Sequence, residues 1–119
     1  MKTLLIVLFC ISSFANASDL SNNDIQREIA WQVLNIIDYG QTRDIAKHCS
    51  ASERYELNQV LGSCPSISSV SKYFIINSLL HYEITAHLYG YRAIWQVGTL
   101  INTGYVVGRN FSLGLKINF

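Results

Sequence analysis

Three ionisable side chains from separate parts of the chain, Asp38, Glu56 and His81, are the groups with which this sequence could do acid–base chemistry. Asp38 sits in IIDYGQT, among good helix formers and bulky apolar neighbours. An ionised carboxylate in such company must be paired or hydrogen-bonded, or its pKa must rise. It reads as an acid facing a site or as a carboxylate paired with an Arg or Tyr inside a helix bundle. Joined with Glu56 and His81 it would make a small-ligand or hydrolase-like site, which sequence spacing does not assemble by itself. HYEITAH places Glu83 and His87 one helical turn apart, while His81 and His87 point to different faces. That is not the HExxH spacing of a zinc helix, so no metal and no cofactor is expected. Asn77, His81 and Thr85 follow one another at four-residue spacing, a polar ladder suited to a contact between helices. No Gly-rich phosphate loop and no Ser/His/Asp order occurs.

The elements that would position these groups are helical. SNND, Ser21 to Asp24, offers short side-chain oxygens for an N-cap, and the spacing predicts a first helix from Ile25 to His48. Ile25, Ile29, Val33, Ile36 and Ile37 recur on one face with Glu28, Gln32 and Tyr39 opposite, so this helix is amphipathic rather than apolar all round. Asp38 falls near Trp31, Leu34, Gln41 and Ile45, at the edge of that arc. A polar hairpin follows, with room for one short helical turn around Glu53 to Val60. Pro65 suits the first turn of a second helix, Ser66 to Tyr89, ended by Gly90. A third helix spans Tyr91 to Asn110, and its Gly98, Gly104 and Gly108 each cost up to about 1 kcal/mol relative to Ala unless another backbone approaches. Gly104 and Gly108 form a GxxxG, a helix-packing signal of low specificity. FSLGLKINF closes the chain as a short extended segment or a frayed end. The fold class is therefore all-α, an antiparallel bundle of three main helices with a polar hairpin between the first two and a short extended tail.

MKTLLIVLFCISSFANA has the charged start, short apolar run and Ala-x-Ala end of a secretory signal peptide, so residues 1–17 are expected to be removed and 18–119 to form a single domain. Among 119 residues with nine Lys and Arg against eight Asp and Glu, loss of Lys2 leaves a formal charge of zero. Nothing in that balance favours a nucleic-acid partner, which calls for a basic face. Cys49 and Cys64 bracket the hairpin and would form a disulfide worth about 3 kcal/mol in an oxidising compartment.

NIIDYGQTRDIAKH, YELNQVLGSCPS, VSKYF, YRAIWQ and VVGRNFSLGLKINF together resemble a family of small, uncharacterised proteobacterial and phage-borne proteins, over nearly all of the mature chain. The resemblance marks Asp38, Gln41 and Thr42, then Glu56, Asn58, Gly62, Pro65 and Ser66, then Tyr73 and Phe74, and finally Asn110 and Gly114. Gln59 stands where the family pattern has Pro, and Cys49 and Cys64 look particular to this chain. The resemblance implies an exported or membrane-associated helical protein and carries no activity with it.

Two arrangements of the polar residues follow. In a bilayer, Asp38, Gln41, Thr42, Asn77, His81 and Glu83 turn inward, since such groups are costly against lipid, and Arg43, Lys47, Arg54 and Lys72 place the hairpin in the cytoplasm. In a soluble or peripheral bundle the same residues form a partly buried network and the cysteines face an oxidising compartment. Uncharged runs all fall below about 17 residues, which argues against insertion, while the scarcity of broad polar faces argues for an apolar environment. With Asn58 added by the resemblance, these residues make the candidate polar cluster. The expected function is that of a small exported, membrane-associated envelope protein, its partner the membrane or an envelope protein, acting by binding or structural association rather than catalysis. The alternative is a periplasmic small-ligand binder or enzyme using Asp38, Glu56 and His81.

Overall fold

The computed structural model describes residues 19–49 and 58–119. Three helices, α1 (Asn22–His48), α2 (Ile67–His87) and α3 (Arg92–Ser112), run up, down and up, with a single 3-10 turn at Tyr89–Tyr91 before α3. The described residues contain no strand, and the bundle is all-α as the periodicity predicts. The Glu53 to Val60 turn and the Ala-x-Ala segment lie wholly or largely outside the described residues.

Local chemistry sets each boundary. Ser21 is the N-cap of α1 in a reciprocal capping box: its Oγ accepts from the Asp24 N–H at 3.2 Å, and its own N–H donates to Asp24 at 2.9 Å. Ser66 caps α2 by accepting from the Ser69 N–H at 3.1 Å. Pro65 therefore precedes the cap rather than occupying the first turn. The stop after α2 also differs from expectation: the helix ends at His87, and the positive φ, 31°, falls on Tyr89 instead of Gly90. Arg92 closes this end by donating to the Thr85 and Ala86 carbonyls at 2.7 and 2.9 Å. After α3, Gly114 takes φ 80° while Leu115 N–H reaches the Asn110 carbonyl and Gly114 N–H that of Phe111, a Schellman closure that needs a residue at ease in the left-handed region.

That closure turns the tail back along α1. Lys116 N–H donates to Asp44 at 3.1 Å, Asn118 N–H to the Gly40 carbonyl at 3.1 Å, and Lys47 Nζ to Asn118 at 2.6 Å. Gly40 permits the approach, because a Cβ there would lie 2.6 Å from the Ile117 side chain. Leu115 buries against Ile45 and Cys49. The tail is thus an ordered extended segment.

α1 packs on both other helices, whereas α2 and α3 touch each other little. The side of α1 that faces them is its polar one. Ile25, Ile29, Val33 and Ile36 are exposed, while Asp24, Glu28, Trp31, Asn35, Gln41, Thr42 and Asp44 are buried. Among the described residues twelve polar or charged side chains are buried against eight apolar ones. Gln41 and Gln96 are fully shut away, yet Ile94 and Ile101 are 72% and 69% exposed. An inside-out amphipathicity of this kind produces the same periodic signal as an ordinary one, so periodicity alone leaves its sign open. No helix among the described residues is long and apolar enough to cross a membrane.

Cys49 and Cys64 are joined as a disulfide, with Cα atoms 5.8 Å apart and a sequence separation of 15. Cys64→Ser, or reduction of the wild type, is expected to remove about 3 kcal/mol of stability, seen as a lower melting temperature by circular dichroism; a melting curve insensitive to reductant would show that this link does not stabilise the fold.

Candidate functional site

The candidate site is the wedge between α2 and α3, floored by α1. Trp31, Asn35, Asp38, Thr42 and Ile45 of α1 line it at alternating spacings of four and three residues, the stripe that faces a bundle axis. Tyr73, Asn77, Leu80 and Ile84 supply one wall and Trp95, Asn102, Val106 and Arg109 the other. The cavity has a volume of about 550 Å³, within the usual range of small-ligand pockets.

At one level of this wedge lies a closed polar network. The Glu28 carboxylate is met by His81 Nδ1 at 3.0 Å, by the Thr85 hydroxyl at 3.0 Å and by Gln32 Nε2 at 2.8 Å. A carboxylate only accepts, so Nδ1 of His81 carries its proton toward Glu28. The other ring nitrogen lies 2.8 Å from Thr99 Oγ1. The imidazole is stacked on Trp31, ring centroids 3.6 Å apart and 4° from parallel, with Trp95 at 5.1 Å on its other contact. Both indole N–H groups are used: Trp31 donates to Thr103 and Trp95 to Thr85, at 3.1 and 3.2 Å. Burial works to raise the Glu28 pKa, but the hydrogen bonds from His81, Gln32 and Thr85 outweigh it and hold the carboxyl below its ordinary value.

Two further levels repeat the principle. Towards the α3 N-terminus, burial of Asp24 is outweighed by Ser21, Arg27 and Arg92, which lower its pKa. Arg27 also donates to Gln96, and Gln96 to the Asp24 carbonyl, at 2.9 and 2.8 Å. At the opposite end Asn110 donates to Gln41 at 3.2 Å and to Asp38 at 3.4 Å, while Gln41 donates to the Val107 carbonyl at 3.2 Å. Tyr39 there is hydrogen-bonded to Ser71 and accepts from Arg43, which together lower its pKa.

Glu28, His81 and Thr99 stand in the order carboxylate, imidazole, hydroxyl, as in acyl-transfer triads. The surroundings do not complete such a site. Thr99 lies within α3, where backbone N–H groups are spent on helix hydrogen bonds and cannot cradle an oxyanion, and its hydroxyl is within 2.9 Å of the Trp95 carbonyl. The geometry locks side chains in place.

Of the expected polar cluster, Asp38, Thr42, Asn58, Asn77 and His81 all line the wedge. Gln41 is buried beside Asn110, and Glu83 is buried facing His87 at 3.8 Å. Asp38 does not meet His81: Asp38 belongs to the Asn110 level and His81 to the Glu28 level, about 15 Å apart along α1. Glu56 lies outside the described residues. The ladder Asn77, His81 and Thr85 is a helix contact, to Asn35 and Glu28 of α1. Among the described residues no group of three or more His, Cys, Asp or Glu could hold a metal ion. A Cβ at Gly104 would lie 3.8 Å from the Leu34 side chain, whereas one at Gly108 would meet no side chain or neighbouring element within 4 Å, so the two glycines do not act on one contact. Glu28, Gln96 and Thr99 escaped the sequence reading. For Glu28 the signal is the run 24, 28, 31, 35, 38, 42 and 45 on α1, a stripe at three- and four-residue spacing beside the isoleucine one; Gln96 and Thr99 lie on α3 and have no part in it.

No family model, curated protein or solved structure matches the chain.

Glu28→Ala, which strips His81, Thr85 and Gln32 of their acceptor, is expected to cost about 3 kcal/mol or more in chemical denaturation. Because its folded pKa is lowered, the ionised Glu28 contributes stability that is present above the ordinary value of 4.5 and is lost as pH falls through the lower folded value. Glu28→Gln should flatten that acid limb; an unchanged limb would show that Glu28 is not held ionised by the network.

Proposed function

We propose that this chain is a small exported protein that associates with the membrane of the cell envelope and acts by binding or structural association rather than catalysis. The observation that carries the reading is the reversed polarity of the bundle. Hydrogen-bonding groups are gathered inside, and Ile25, Ile29, Val33 and Ile36 of α1, Ile75, Ile76 and Leu79 of α2, and Ile94, Ile101 and Tyr105 of α3 form an apolar exterior. Exposed apolar patches on this scale mark membrane or protein contacts. Because all three helices carry the exterior, a surrounding apolar phase covers it more completely than one flat protein interface.

The disulfide supports export, since such bonds persist in oxidising compartments. It also argues against the arrangement that would put the hairpin in the cytoplasm. Membership of the resembled phage-borne family remains part of this proposal, supported by the meeting of Asp38, Gln41 and Asn110. Fractionation of producing cells tests the reading. The protein is expected to sediment with membranes and to be released by detergent, and Ile94→Ser with Ile101→Ser to shift it to the soluble fraction. Recovery of the wild type in the soluble fraction would overturn the reading.

A second reading, a small-ligand binder, rests on the 550 Å³ wedge with Asp38 and His81 on its lining. Here a panel of small polar solutes should include one that raises the wild-type melting temperature and leaves Asp38→Asn, folded by circular dichroism, unmoved. If every solute that stabilises the wild type stabilises the variant equally, Asp38 is not a ligand contact.

A further inference from the structure

We infer that the end of the bundle carrying the C-terminus of α1, the start of α2 and the tail is a docking surface for a bilayer containing anionic phospholipid. The inference rests on the membrane-associated reading and adds to it a lipid class and an orientation.

The formal balance of the chain hides a strong separation of charge. Among the described residues the far end holds Arg27 and Arg92 with Asp19, Asp24, Glu28 and Glu83, and its charges are largely spent on one another. Asp24 pairs with Arg27 at 2.6 Å and with Arg92 at 3.5 Å, and Glu28 is engaged by His81. Among the described residues the near end holds Arg43, Lys47, Lys72, Arg109 and Lys116 against Asp38 and Asp44. Asp44 is buried under the Lys116 N–H and beside His48, and Asp38 is turned to Asn110. Lys72, Arg109 and Lys116 are exposed and in no ion pair among the described residues, and exposed Lys47 donates to Asn118. The outward charge of the described residues at this end is therefore positive.

Apolar side chains are interleaved with these cations. Phe111, Leu113, Ile117 and Phe119 are exposed on and after the last turn of α3, fixed there by the Gly114 closure and by the tail's bonds to α1. Cations beside aromatic and aliphatic groups suit the boundary between headgroups and acyl chains. A nucleic acid would match the charge but offer no apolar phase for Phe111, Leu113 and Phe119. Continuity with the apolar exterior of all three helices favours a bilayer over a protein of limited contact area.

Co-sedimentation of the purified, oxidised protein with vesicles tests the inference. Vesicles of phosphatidylcholine with phosphatidylglycerol should bind more tightly than phosphatidylcholine alone, with the difference shrinking as salt is added. Each of Lys72→Gln, Arg109→Gln and Lys116→Gln should weaken binding to the mixed vesicles about fivefold, and Phe111→Ser with Phe119→Ser should weaken binding to both compositions. Circular dichroism of each variant checks the fold. Equal wild-type binding to both compositions, or unchanged affinity in the Lys and Arg variants, would overturn the anionic docking surface and leave membrane association standing. Absence of binding to either vesicle would overturn both.

Discussion

Removal of the Glu28 carboxylate from water is the constraint around which the helices are arranged. A buried carboxylate is tolerated only if other groups replace its hydration. Here the replacements come from two helical segments, Gln32 on its own helix and His81 and Thr85 on α2. His81 in turn reaches Thr99 of α3, and Thr85 accepts from Trp95. One ionised group thereby fixes the rotation and register of all three helices. A slip of one residue along any of them would leave donors and acceptors facing nothing, at a cost of several kcal/mol. Directional bonds supply here the specificity that shape-matched apolar packing usually supplies.

The rest of the molecule follows from that choice. Polar side chains occupy the axis, so apolar residues of each helix are displaced outward and leave an exterior rich in Ile, Leu and Tyr. The contiguous apolar core is correspondingly small: Ile45, Cys49 and Leu115. It lies where the disulfide and the returning tail meet, so the end with least buried polar bonding is secured covalently and by the C-terminal strap. Charge follows the same division, with paired ions at one end and exposed cations at the other.

Much of the architecture was legible from sequence because it rests on local chemistry. Ser21 and Ser66 announce helix starts, and the three helices end within two residues of their expected limits at His48, His87 and Ser112. The polar ladder on α2 was readable as a helix contact because four-residue spacing fixes a face whatever covers it. The inward face of α1 was not readable. Two stripes at helical spacing run along the helix, one of isoleucines and one of Asp24, Glu28, Asn35 and Thr42, and periodicity is the same whichever of them faces inward. Asp38 was correctly placed beside Trp31 and Gln41, but its partner Asn110 lies 72 residues away and no local signal names it. Gly40 was passed over because its role depends on a tail that folds back only after Gly114 closes α3.

The polar stripe of α1 faces inward and the isoleucine stripe outward. Methyl NMR of isoleucine-labelled protein in detergent micelles tests it most directly, by recording which methyl groups show nuclear Overhauser contacts to detergent chains. Such contacts are expected for Ile25, Ile29, Ile36, Ile94 and Ile101 and none for Ile45. Contacts from Ile25, Ile29 and Ile36 to methyl groups of α2 and α3 instead, with detergent excluded, would contradict it.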